Sequence, residues 1–223
     1  KKYIKKGLVQ VNGVTVKSPE QKVVPGKDQV SFMEKSIEAA PEFAYFLLHK
    51  PAGCVSATED DREKTVVAYV PSSRKGLFPV GRLDKDTEGL LLITDDGALA
   101  HRLLSPKHHM EKTYYVKTEG IVTKEDADAI AKGVDIGDEK PALPGRIKIL
   151  KTDEREGKSE VLITIYEGRF HQVKRMMQAV GKQVCYLKRI SMGPLRLPKD
   201  LKKGECRPLN EEELKELRAY TGL

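Results

Sequence analysis

Apolar residues in this chain come only in short runs, which bounds the architectures open to it. The longest run, residues 43–48, is six residues. A membrane-spanning helix needs about 20, so no stretch suits a bilayer and no membrane partner is expected. Runs of this length suit buried strands or single helix faces. The 223 residues suffice for one or two domains and for a core without disulfide or metal staples. Cys54, Cys185 and Cys206 lie far apart with no C-x-x-C pair. That argues against a disulfide framework and a zinc ribbon and suits a reducing compartment. No secretion leader is visible at the start, and a cytoplasmic location is the expectation.

Between the runs, turn signals place the elements. Residues 3–7 read as a helix end stopped by Gly7. Residues 8–11 and 14–16 read as a hairpin around Asn12-Gly13. Val23-Val24 and residues 30–32 flank a turn at Pro25-Gly26. Residues 1–33 thus form a small module with too few apolar side chains for a strong core, and it reads as the back half of a larger one. Residues 34–41 read as a linker, and residues 42–223 as the main body. There, strands are expected at 45–48, 90–94, 113–118, 146–150 and 160–166. Helices are expected at 98–104, ended by Ser105-Pro106, and from Thr123 with Asp126 as capping partner and Gly133 as stop. Further helices are expected at 171–180 and, capped by Asn210, to about residue 219. The elements mix without a repeated βαβ rhythm, so the class is α+β with a mainly antiparallel sheet and flanking helices.

The net charge of +7 is unevenly spread. Residues 1–40 hold eight Lys against four acids, and residues 169–207 hold eleven basic residues against two acids. Residues 119–160 carry a net −3. A lysine-rich run is often only a solvated face. Two such segments favour a polyanion partner, because clustered Lys and Arg neutralise phosphates.

The densest candidate site is Gly81-Arg82-Leu83-Asp84-Lys85-Asp86-Thr87-Glu88-Gly89 ahead of the apolar run at 90–93. A calcium loop fits poorly: Leu92 offers no oxygen at the ninth position, and Asp95 replaces the bidentate Glu at the twelfth. A glycosidase carboxylate pair lacks aromatic platforms nearby. The bland alternative is a salt-bridged turn, with Asp84 paired to Arg82 or Lys85. His108-His109 lacks partners at metal-ligand spacing and reads as a surface loop, so no metal is expected.

Gly81-Arg82-Leu83-Asp84 followed by an apolar strand resembles the catalytic motif of RNA pseudouridine synthases. Other motifs of that family appear in order: His49-Lys50-Pro51-Ala52-Gly53, Lys112-Thr113-Tyr114, the stretch from Glu167-Gly168-Arg169-Phe170 through His171-Gln172-Val173-Lys174-Arg175-Met176, and Leu187-Lys188-Arg189 with Gly193. The resemblance covers roughly residues 43–220. The module at 1–33 is similar to the end of an alpha-L RNA-binding domain of the ribosomal protein S-four type. The pairing resembles the ribosomal RNA branch of the family. The spelling around His171 and Lys174 is most similar to synthases acting on small-subunit (16S) rRNA, whereas large-subunit enzymes of the branch more often show Arg-Gln-Val-Arg-Arg-Met.

This resemblance implies a pseudouridine synthase fold and isomerisation of a uridine without cofactor. It makes Asp84 the nucleophile, with attack on ribose, attack on the uracil ring and proton abstraction to a glycal all open. Lys174 would hold Asp84 ionised, where most of the family has Arg. Tyr114 would stack on or hydrogen-bond the flipped uracil, Leu187 would pack under it, and Arg82 would fill the gap left in the RNA stack. Lys5, Lys6, Lys50, Arg169, His171, Gln172, Arg175 and Arg189 are the implied RNA contacts. The implied partner is ribosomal RNA, as a small-subunit assembly intermediate, and a monomer is expected. Independently of the resemblance, His171, Lys174, Arg175 and Gln178 share one helical face, and Val173, Met176, Met177 and Val180 the other. The rival from another class is a non-catalytic RNA-binding or ribosome-assembly protein.

Overall fold

A computed structural model describes residues 1–24, 27–37, 41–105 and 109–223. The expected turn at Pro25-Gly26, the helix stop at Pro106 and the loop residue His108 lie outside these residues. The chain divides into two compact units, Lys1–Glu42 and Phe43–Leu223.

The smaller unit begins with a helical turn, α1 (Lys2–Lys5), and Gly7 then turns the chain at φ +73. Its sheet has four antiparallel strands: β1 (Val9–Val11), β2 (Val14–Val16), β3 (Val30–Phe32) and β4 (Lys35–Ile37), in the order β2-β1-β3-β4. Asn12 and Gly13 both take positive φ, 51 and 79, as a two-residue hairpin turn requires. The Asn12 side chain donates to Asp28 Oδ1 at 2.9 Å and accepts from Gln29 N at 2.9 Å, tying the turn to the next strand. Val23 and Val24 form no strand. Lys35–Ile37, read above as linker, pairs with β3 and closes the sheet edge. No described residue of this unit is buried, in keeping with its few apolar side chains.

The larger unit is built on one nine-stranded sheet. Its strands are β5 (Tyr45–Lys50), β6 (Phe78–Pro79), β7 (Glu88–Thr94), β8 (Lys112–Glu119), β9 (Arg146–Asp153), β10 (Lys158–Ile165), β11 (Gln183–Met192), β12 (Leu195–Arg196) and β13 (Cys206–Pro208). The order is β13-β5-β7-β11-β8-β10-β9, with β6 on β7 and β12 on β11. Every pairing is antiparallel except β7 with β11, which is parallel. This pairing joins two antiparallel blocks, one around β5 and β7 and one of β8 to β11.

Burial explains the sequence pattern. Every residue of β5 and β7 is buried. One face of this pair meets α2 (Gly97–Leu104) and α5 (Glu211–Thr221) through Leu47, Leu90, Leu92, Leu99, Leu103 and Leu217. The other face packs Phe46, Leu48, Leu91 and Ile93 on Val66 and Leu77. Strands covered on both faces read as continuous apolar runs. β8 and β10 alternate instead. They bury Tyr114, Val116, Val161 and Ile163 against α3 (Lys124–Lys132) and α4 (Gln172–Ala179). Thr123 and Asn210 each form the capping box that their spacing to Asp126 and Glu213 predicts.

The strand β11 is absent from the sequence expectations. Two register shifts break its alternation, between Val184 and Tyr186 and between Arg189 and Ser191, and it buries a charged residue, Arg189. The parallel seam beside it is tight. A Cβ on Gly89 would lie 2.2 Å from the carbonyl oxygen of Arg189, so only glycine fits there.

Candidate active site

The loop carrying Asp84 is held from several sides before it enters β7. Ser56 Oγ accepts from Leu83 N at 3.0 Å and donates to Leu83 O at 2.8 Å. Gly53 N donates to Lys85 O at 2.8 Å, and Thr87 N closes a turn onto Asp84 O at 3.0 Å. At the centre lies the ammonium of Lys50, 0 % exposed, which donates to the carbonyls of Thr87 (2.8 Å), Asp84 (3.0 Å), Pro51 (3.1 Å) and Lys85 (3.3 Å). Burial pulls the Lys50 pKa down, and neighbouring groups including Asp86, Asp84 and Glu88 offset part of that. The phosphate contact expected of Lys50 thus has no exposed donor in this structure. The ammonium spends all its donors on the loop.

The second half of the site comes from the start of α4. His171 precedes the helix with φ 48 and ψ 30, a left-handed conformation rare for a residue with a side chain. Its Nε2 lies 3.5 Å from Asp84 Oδ1. One turn on, Lys174 Nζ lies 3.3 Å from Asp84 Oδ2. The same ammonium bonds both oxygens of Asp86, at 2.7 and 2.8 Å. Burial opposes the Lys174 charge, but the Asp86 hydrogen bond and the charges of Asp84 and Asp86 outweigh it and raise the pKa. The hydrogen bond from Lys174 correspondingly lowers that of Asp86. Val173, Met176 and Met177 are buried on the opposite helical face, as the stripe predicts.

Asp84, Tyr114, Leu187, Arg82, His171 and Thr87 line one open cavity of about 60 Å³. Tyr114 and Leu187 are both 7 % exposed and form its apolar wall. Arg82 is exposed and, among the described residues, forms no ion pair, so the salt-bridged turn is not what holds Asp84. Lys85 pairs with Glu63 instead. Among the described residues, no cluster of acids, His and Cys could hold a metal.

Four other residues expected to contact RNA have polar groups bonded within the fold. Arg189 is 2 % exposed and donates to Leu90 O at 2.8 Å across the parallel seam. Arg175 binds Asp138, Ile136 O and Phe170 O. Arg169 binds Glu167, Lys140 O and Pro141 O. Gln172 is 3 % exposed and bridges Arg169 N and Glu167. Arg169 and Gln172 line the cavity, yet their polar heads are already partnered. Their common task is to fix the turn at 167–172 against the segment 136–141. Lys5 and Lys6 are exposed in the smaller unit.

Sequence reasoning overlooked Asp86 as the main partner of Lys174, and Ser56 and Thr87 altogether. Asp86 stands in the motif and was readable as an acid of the loop. Ser56 carries no signal, because its role depends on a contact 27 residues away in sequence.

The order of loop, strand, wall and helix matches one family. The model for RNA pseudouridylate synthases covers residues 44–179. The chain belongs to this family. The ribosomal large subunit pseudouridine synthase B of Bacillus subtilis is 41 % identical over 217 residues, covering 97 % of this chain and 87 % of the relative. The ribosomal small subunit pseudouridine synthase A of Escherichia coli K12 is 41 % identical over 214 residues, covering 95 % and 89 %. A solved structure described as a pseudouridylate synthase superposes with a TM-score of 0.72 at 38 % identity, covering 97 % of this chain and 91 % of its own. This protein is thus an RNA pseudouridine synthase, with the mixed, mostly antiparallel sheet expected of the family.

Proposed function

We propose that this synthase isomerises one uridine of small-subunit ribosomal RNA, with Asp84 as its nucleophile. The observation that carries the catalytic part is the convergence of Lys174 and His171 on Asp84 at the wall formed by Tyr114 and Leu187. The reaction breaks the bond from ribose C1′ to uracil N1, forms one from C1′ to C5, releases the C5 proton to water and returns a proton to N1. Oxidation state is unchanged, so the chain needs no redox partner. A carboxylate beside a dry wall tends to protonate, and a cation within about 4 Å opposes that. Lys174 does this as a point charge, without the fork of an arginine. In this reading Tyr114, on the cavity wall, packs on a uracil that has left the RNA stack, and exposed Arg82 fills the vacated position.

The small-subunit assignment rests on His171-Gln172-Val173-Lys174-Arg175-Met176. The smaller unit, with Lys5 and Lys6 exposed, acts as an RNA-binding module similar to the ribosomal S-four type. The protein works as a cytoplasmic monomer on a subunit assembly intermediate during ribosome biogenesis. A large-subunit target is the second reading, favoured by the equal identity of the relative that carries that name. Pseudouridine mapping of ribosomal RNA from cells lacking the protein, complemented by wild type or Asp84→Ala, tests this. One small-subunit site lost and restored only by wild type is the expected result. A lost large-subunit site selects the second reading, and no lost site refutes both.

A further inference from the structure

Phe170 is the most exposed of the large apolar side chains, at 75 %. It is flanked by Arg169 and His171, which line the cavity with Asp84. An exposed apolar side chain alone means little, but this one is held in a built setting. Its ring stacks on the His171 imidazole, with centroids 3.7 Å apart and planes inclined by 20°. That imidazole in turn stands 3.5 Å from Asp84. The backbone beneath is clamped: Arg175 Nε donates to Phe170 O at 2.8 Å, and Gln172 N donates to Arg169 O at 3.2 Å. Asp138 fixes Arg175 from the far side at 2.7 Å. The left-handed backbone of His171 sets the angle at which the two rings meet. A rigid turn therefore presents one free aromatic face to solvent beside the mouth of the catalytic cavity.

We propose that Phe170 is a substrate-binding side chain whose free face stacks on an RNA base neighbouring the flipped uridine. This rests on the catalytic reading above and adds a contact to it. Extrusion of a nucleotide leaves its neighbours with unstacked faces, and an aromatic ring replaces that stacking without regard to base identity. The Phe170–His171 pair would extend the stack toward Asp84, so that the strand is held in line with the cavity. Such a contact forms with bound RNA and persists through the reaction, so its loss raises KM more than it lowers kcat.

The test measures tritium release from small- and large-subunit rRNA transcripts carrying [5-³H]uridine, using the whole protein. One lost base–aromatic stack corresponds to a rise in KM of roughly 5- to 150-fold. Phe170→Ala and Phe170→Leu should both show it, since leucine keeps the bulk but has no π face, whereas Phe170→Tyr should keep KM close to wild type. Thermal unfolding of each variant separates weak binding from misfolding. Wild-type KM in a folded Phe170→Ala protein, or in Phe170→Leu, overturns the proposal while leaving the catalytic reading intact. Absence of release by wild type from either RNA, both as free transcript and assembled with ribosomal proteins into a subunit intermediate, overturns both.

Discussion

Replacement of Lys50 by methionine separates an internal role from the RNA contact that the sequence suggests. Methionine matches the length of the lysine stem and removes the ammonium. Two of its four acceptors keep another donor: Lys85 O has Gly53 N at 2.8 Å, and Asp84 O has Thr87 N at 3.0 Å. Pro51 O keeps only the Cys54 thiol at 3.4 Å, and Thr87 O loses the 2.8 Å bond from the ammonium. Each of these two acceptors costs about 1–3 kcal/mol when its strong donor is removed in the interior, or about 2–6 kcal/mol together. Removing a charge that burial disfavours returns part of this, leaving a net loss of about 3 kcal/mol. That is roughly a 150-fold shift in the folding equilibrium, visible in urea unfolding and survivable by a domain of ordinary stability. Because the Asp84 carbonyl is one anchor, a displaced loop should lower kcat by up to about 100-fold, with KM little changed. Wild-type stability together with a raised KM and a shallower salt dependence of RNA binding would refute this reasoning and return Lys50 to the phosphates.

Three further outcomes are expected. Gly89→Ala should yield insoluble or unfolded protein, because its Cβ would meet Arg189 O at 2.2 Å at a φ of +109; soluble expression with a native circular dichroism spectrum would count against the seam described. Lys174→Ala should lose turnover while Lys174→Arg retains a measurable rate, and Asp86→Asn should be milder than Lys174→Ala, since the Lys174–Asp84 pair remains; equal tritium release by Lys174→Ala and wild type would sink the charge argument. Burial, aided by Arg189, lowers the Lys112 pKa to about 8. The unfolded chain thus binds more protons between about pH 8 and 10.4, and stability should rise with pH there by at most roughly 3 kcal/mol. Lys112→Met should flatten that rise in unfolding titrations.

What was legible in the sequence follows local physics. The hairpin at Asn12-Gly13, the capping boxes at Thr123 and Asn210 and the apolar face of α4 depend on residues a few positions apart, and each formed as its spacing required. The Asp84 loop was legible because acids and glycines crowd it. Contacts that span the chain were not legible. Arg169, Arg175 and Arg189 look like RNA ligands in a basic segment, but their partners at 136–141 and 90 are set by topology. Lys50 looks like a surface cation until β5 and β7 close around it. β11 escaped because its bulges break the alternation that marks a strand, and Lys35–Ile37 because an edge strand of three residues has no pattern to read.

The parallel pairing of β7 with β11 has a consequence for how the protein comes into being. Glu88 pairs with Lys188, 100 positions on in sequence, and closing so long a loop delays folding more than it weakens the finished sheet. A nascent chain that has released β7 but not β11 holds Asp84 without the seam that brings the two blocks together. The catalytic machinery therefore becomes complete only once the residues through Met192 have left the ribosome, and truncation ahead of that residue is expected to abolish turnover.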